Sequence, residues 1–232
     1  MEEVEWWDFD SAAEMAEQAA GDIGFVIESA IEAHGNARVA LAADSDMDPL
    51  LSALAKSKNF DWSKVSLLPT ADRLVGLSDP ESVVRKLEGW FAAKGAEILS
   101  LVDESALGDS AEAARLADAR LGLLRWPLDL VALGIDGEGG TAGLLPGPGL
   151  DRVLNAPRER RATGARGPEG ELVTLTAPAL TGARAIMIVL AGERKKQVLE
   201  EAIREGPLSS KPVGRLLAEI DSPVDIFWSK EG

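Results

Sequence analysis

The sequence predicts an α/β fold, a three-layer sandwich around a mainly parallel, Rossmann-like central sheet. Three observations carry this. Segments with the apolar spacing of helices alternate with short β-prone runs, the pattern of βαβ units. The run from Leu128 to Ile135 is almost wholly apolar and bounded by turns, as in a strand covered on both faces. With 232 residues, 46% of them hydrophobic, the chain can bury one sizeable core, and residues 1–232 read as a single domain.

From Asp10 to Glu32, apolar residues at Ala13, Ala16, Ala20, Ile23, Val26, Ile27 and Ile31 predict a long first helix, capped by Asp10 or Ser11. ARVALA (37–42) is a β-prone run, and MDPLLSALAKS after it reads as a helix. Next come a strand over Lys64–Thr70, a loop ADRLVGLSDP, and a helix beginning near Pro80, a residue that suits the first helical turn. Glu97–Leu101 reads as a short strand, Ser110–Leu124 as an alanine-rich helix, and Leu128–Ile135 as the buried strand. Further strands are expected at Leu172–Thr176, Ala185–Leu190 and Asp225–Trp228, with a helix over Glu193–Arg204.

Composition removes several classes of function. Lys and Arg number 24 against 39 Asp and Glu, a formal charge of −15 that repels nucleic acid and anionic membranes. Without cysteine there is no disulfide, thiolate metal site or cysteine nucleophile. No apolar run reaches the roughly 18 to 20 residues that span a bilayer. The acidic opening MEEVEWWDFD does not resemble a secretory signal, so a cytoplasmic location is expected.

In α/β sheets ligands bind beyond the carboxyl ends of the strands. That rule selects the loops AADSDMD, TADRLVG, DGEGGTAG and GERKK. Asp44, Asp46 and Asp48 have the opening spacing of a calcium loop, but Pro49 stands where glycine is needed and Ala55 where a glutamate is needed, so no metal site is predicted. Gly137, Gly139 and Ala142 formally spell GxGxxA after a strand. Pro146 and Pro148 would cut the required helix short, which argues against a dinucleotide fingerprint. The sole histidine, His34, sits in an HGN turn and reads as a surface or capping residue.

The order of DWSKVSLLPTADRLVGLSDPES, DLVALGIDGEGGTAGLLPG, LVTLTAPAL, VLAGERKKQVLEEAI and DIFW resembles, from end to end, the 6-phosphogluconolactonase family, itself related to glucosamine-6-phosphate deaminases. The resemblance implies hydrolysis of a sugar lactone without metal or organic cofactor, in sugar metabolism of the pentose phosphate or Entner–Doudoroff type. Aligned on TAxLxPG, the family's signature GMGxDGHTASLFPG places its basic histidine on Gly140 and its aspartate on Glu138. A phosphate loop such as SGGSTP is replaced by Ala42–Asp48, rich in carboxylates, so phosphate binding in the usual manner is disfavoured. Leu172 stands where an arginine usually precedes the ITLT strand, and Ala71 where a DER-like motif has its aspartate.

Retained positions are Asp72, Arg73, Lys195 and Arg215, with Ser45 in the former phosphate loop. Arg73, Lys195, Arg215 and Ser45 are therefore the expected contacts for a sugar-lactone or sugar-acid ligand. Two readings follow. In one the chain is a lactonase whose replacement base is Glu138 or Asp72, either of which needs a raised pKa to work near pH 7. In the other it is a catalytically silent relative, a pseudoenzyme that binds or supports, as a homodimer or paired with an active paralogue. If the scaffold is intact, Gly140→His combined with Asp44→Gly and Asp46→Gly is expected to raise activity.

Overall fold

The central strands are short and apolar on both faces, so they must be covered on two sides, and the chain meets this demand by laying helices above and below one sheet. A computed structural model describes residues 4–147, 149–167 and 169–230. The central sheet comprises β1 (Val4–Phe9), β2 (Ala37–Leu41), β3 (Val65–Pro69), β5 (Glu97–Ile98), β6 (Leu130–Leu133), β9 (Ile186–Ala191) and β10 (Val224–Ser229). Their spatial order is β1-β10-β9-β6-β2-β3-β5. All the pairings are parallel, including Val39 opposite Leu130 and Val131 opposite Ile186.

Alternate residues of one strand serve different cores. Val39, Leu41, Leu130, Ala132, Met187, Val189 and Phe227 pack toward α1 (Ala12–His34), α2 (Asp48–Leu54) and α3 (Val83–Phe91). Ala40, Val131, Leu133, Ile186, Ile188, Leu190 and Ile226 pack on the opposite side. There they meet α4 (Ser110–Leu121), α5 (Leu150–Leu154), α6 (Ala177–Thr181), α7 (Glu193–Glu205) and α8 (Pro212–Leu217). The result is the expected three-layer α/β architecture.

Three expectations change in detail, and one further element is present. The stretch read as a loop after β3 contains a strand, β4 (Ala71–Arg73), which pairs antiparallel with β8 (Gly170–Leu175). Leu172–Thr176 therefore belongs to a second, three-stranded antiparallel sheet, β4-β8-β7, where β7 is Ala162–Gly167. The helix expected from Pro80 starts at Val83, because Ser82 caps it by accepting from the Arg85 N–H. The acidic N-terminal stretch supplies an edge strand, β1, whose Trp6 lies beside Lys196. Among the described residues no helix is long and apolar enough to cross a membrane.

Candidate active site

A cleft of about 450 Å³ opens at the carboxyl ends of β2, β3 and β6, where the chain leaves neighbouring strands in different directions. Its floor is the loop after β6, from Gly134 to Leu145, and one wall is the small antiparallel sheet. That loop is folded by its own hydrogen bonds. Thr141 donates through Oγ1 to the Gly134 carbonyl at 2.8 Å. The buried Thr174 donates to the Ala142 carbonyl at 2.7 Å, holding Ala142 at a φ of 48°, where a residue with a Cβ is strained. Among the described residues no helix lies between these glycines and Leu150, where a dinucleotide fingerprint would need one.

At two glycines of this loop a carboxylate approaches closely. A Cβ on Gly134 would lie 2.2 Å from Oδ2 of Asp44, and a Cβ on Gly140 would lie 2.3 Å from Oδ2 of Asp136 and 2.9 Å from the Leu144 carbonyl oxygen. Two carboxylates thus occupy space that side chains at 134 and 140 would need. Asp136 is held there by the loop, its Oδ1 accepting from the N–H groups of Glu138 and Gly140, each at 2.8 Å.

The expected site residues separate into three groups. Arg73, Lys195, Ser45 and Asp72 line the cleft. Lys195 projects from the first turn of α7 and pairs with Asp46; Arg73 pairs with Glu81 and with Glu169, the latter at 3.1 Å. Both cations are thus already engaged by carboxylates.

Asp72 reaches the cleft wall but is committed elsewhere. Its oxygens accept from the Val83 N–H at 2.7 Å and the Val84 N–H at 3.2 Å, tying β4 to the start of α3. Burial raises its pKa, partly offset by these hydrogen bonds. In this arrangement the carboxylate anchors the start of α3. Glu138, the other expected base, is turned outward: its side chain is 78% exposed, pairs with Arg194 at 2.9 Å and is absent from the cleft lining. Arg215 also lies outside that lining, its guanidinium 2.7 Å from Asp151.

The acidic loop is dispersed. Asp46 goes to Lys195 and Asp48 to Lys86 at 2.6 Å, whereas Asp44 caps the short turn Ser45–Met47 and stands over Gly134. Asp44 keeps contact with solvent, but the protein packed around it raises its pKa, repulsion from Asp46 adds to this, and Lys195 works against it. His34 ends α1 far along the sheet, at the amino end of β6, with Nε2 3.1 Å from the buried Asp129.

The cleft also holds Asp136, which the sequence pattern did not single out. It was the first acid after the most apolar strand, a position that the carboxyl-end rule already favours, but alignment on the TAxLxPG motif drew notice to Glu138.

The model of the family described as glucosamine-6-phosphate isomerases/6-phosphogluconolactonase matches residues 10–227. The chain is 30% identical over 225 residues to a 6-phosphogluconolactonase of Rhizobium meliloti, covering 95% of this chain and 97% of that protein. It is also 30% identical to a 6-phosphogluconolactonase of Pseudomonas aeruginosa, covering 94% and 92%. The crystal structure of a 6-phosphogluconolactonase from Shewanella baltica superposes with a TM-score of 0.89 at 26% identity, over 98% of both chains. The carboxyl-end cleft, the parallel sheet and these end-to-end likenesses agree: the chain belongs to the glucosamine-6-phosphate isomerase/6-phosphogluconolactonase family.

Proposed function

We propose that this chain hydrolyses the ring ester of a sugar-acid lactone in the cleft above β2, β3 and β6, within sugar metabolism of the pentose phosphate or Entner–Doudoroff type. The observation that carries the reading is the composition of the cleft. It has room for a six-membered lactone ring, with the carboxylates of Asp44 and Asp136 over its glycine floor and the cations Arg73 and Lys195 beside them. Carboxylates can take a proton from water, and cations can hold an acidic substituent of the substrate. The relatives named above are 6-phosphogluconolactonases, which makes 6-phosphogluconolactone the first substrate to try.

One feature of the cleft favours the silent-relative reading. Arg73 and Lys195 are neutralised by Glu81, Glu169 and Asp46, so an incoming phosphate must displace a carboxylate from each cation. Purified protein assayed with 6-phosphogluconolactone and with unphosphorylated gluconolactone distinguishes the two. Acceleration of either by about 100-fold or more over the spontaneous reaction is expected. No acceleration of either, with saturable binding of 6-phosphogluconate, would establish the silent reading in its place.

A further inference from the structure

We infer that Asp136 is the general base of this chain, with its Oδ2 delivering water to the lactone carbonyl from the space above Gly140. The inference rests on the lactonase reading and adds the residue that moves the proton. Its basis is positional. The carboxylate is fixed from one side only, both loop N–H groups falling on Oδ1, while Oδ2 lies where the side chain of any larger residue at 140 would begin. Asp136 and Gly140 both line the cleft, and Oδ2 is the Asp136 atom next to Gly140.

The other carboxylates near the cleft have different commitments. Asp72 holds the start of α3, Asp46 and Glu169 neutralise Lys195 and Arg73, and Glu138 faces solvent beside Arg194. Asp44 is the nearest rival, over Gly134, but it is flanked by Asp46 and caps its own turn. Asp136 and Asp44 are both fixed through Oδ1, but Asp136 is held by two loop N–H groups at 2.8 Å and Asp44 by one at 3.2 Å beside a second carboxylate, so Asp136 is the more firmly oriented of the two.

The chemistry balances as an ordinary ester hydrolysis. As the water oxygen bonds to the lactone carbonyl carbon, one water proton passes to Oδ2 of Asp136 and the carbonyl π pair moves to oxygen. The tetrahedral intermediate then re-forms its C=O and breaks the bond between the acyl carbon and the ring oxygen. That oxygen takes the proton back from Asp136 as a hydroxyl, and the new acid ionises to solvent.

The test is Asp136→Asn in the full chain, assayed beside the wild type, Glu138→Gln and Asp44→Asn, with Tm measured for each. Asparagine keeps an acceptor oxygen for the N–H groups of Glu138 and Gly140, so the loop has its bonds while the base is gone. The expected result is a fall in kcat of about 100-fold or more, a KM changed by less than about threefold, and loss of the acid-side limb from the pH profile of kcat/KM. If Asp136→Asn keeps kcat within about threefold, or loses it with the acid-side limb intact, another group is the base and the assignment is overturned. Loss confined to Glu138→Gln or Asp44→Asn overturns it equally. A wild type that accelerates no lactone would instead remove the lactonase reading itself, which separates that failure from this one.

Discussion

The two ends of the central sheet hold carboxylates in opposite conditions. At the amino end Asp129 is 1% exposed and surrounded by donors: the Arg38 N–H at 2.9 Å, His34 Nε2 at 3.1 Å, Arg125 at 3.4 Å and Arg184 at 3.5 Å. At the carboxyl end Asp136 and Asp44 stand over glycines, each with an oxygen directed over the cleft floor. A buried acid surrounded by donors stabilises the fold, whereas an acid fixed through one oxygen is available for chemistry. The sole histidine, the residue most often linked with acid–base work, is on the structural side of this division.

Removing the structural acid is expected to have the largest effect on stability. Asp129→Ala leaves a buried N–H and a set of cations without their acceptor, at a cost of about 3 kcal/mol. For a chain of this size that is a fall in Tm of about 6–12 °C. Thermal unfolding checks it, with activity per folded molecule unchanged. A variant that kept its Tm but lost turnover would break the comparison by placing chemistry at the amino end.

Next in size is the reverse experiment at the cleft. Gly140→His puts a Cβ 2.3 Å from Asp136 Oδ2 and 2.9 Å from the Leu144 carbonyl oxygen, so it is expected to destabilise by about 1–3 kcal/mol. The gain of activity expected from histidine at 140 with Asp44→Gly and Asp46→Gly therefore also requires the Asp136 side chain to give way. Adding Asp136→Gly removes the nearer contact and should recover part of the lost stability, which urea unfolding of the single and double variants measures. Equal stability of the two would mean that Asp136 does not occupy that space in solution.

Much of the fold was legible in the sequence, and the reasons are physical. Strands covered on both faces read as continuous apolar runs, and helices around them carry their own period, so Leu130–Leu133 and Ala12–His34 were found close to their observed limits. The small sheet was harder. β4 has only three residues and its partner β8 lies about a hundred positions away, so no local pattern announces the pairing. The site was legible in location but not in its division of labour. Strand ends pointed to the right loops, whereas the roles of Asp72, Glu138 and Asp136 depend on which N–H groups and cations reach each carboxylate, and those come from distant parts of the chain.

The smallest effect probes the cost of keeping an acid at the cleft. Asp44 has its pKa raised, first by burial and then by Asp46, so the folded state holds its proton more tightly than the unfolded chain does. Below the ordinary aspartate range both states are protonated and the group costs nothing. As pH rises from there through the raised value, the unfolded chain ionises first and stability is lost, after which the loss is constant. Asp44→Asn, which mimics the protonated form, should therefore match the wild type near pH 3.5 and exceed it at pH 7. Because the side chain keeps contact with solvent, screening holds the gain to no more than about 0.5 kcal/mol. Urea midpoints for the two proteins across pH 3.5 to 7 measure it. A gain that shrinks as pH rises would show that Lys195 outweighs burial, making Asp44 a stabilising partner like Asp129 instead of an acid held at a cost.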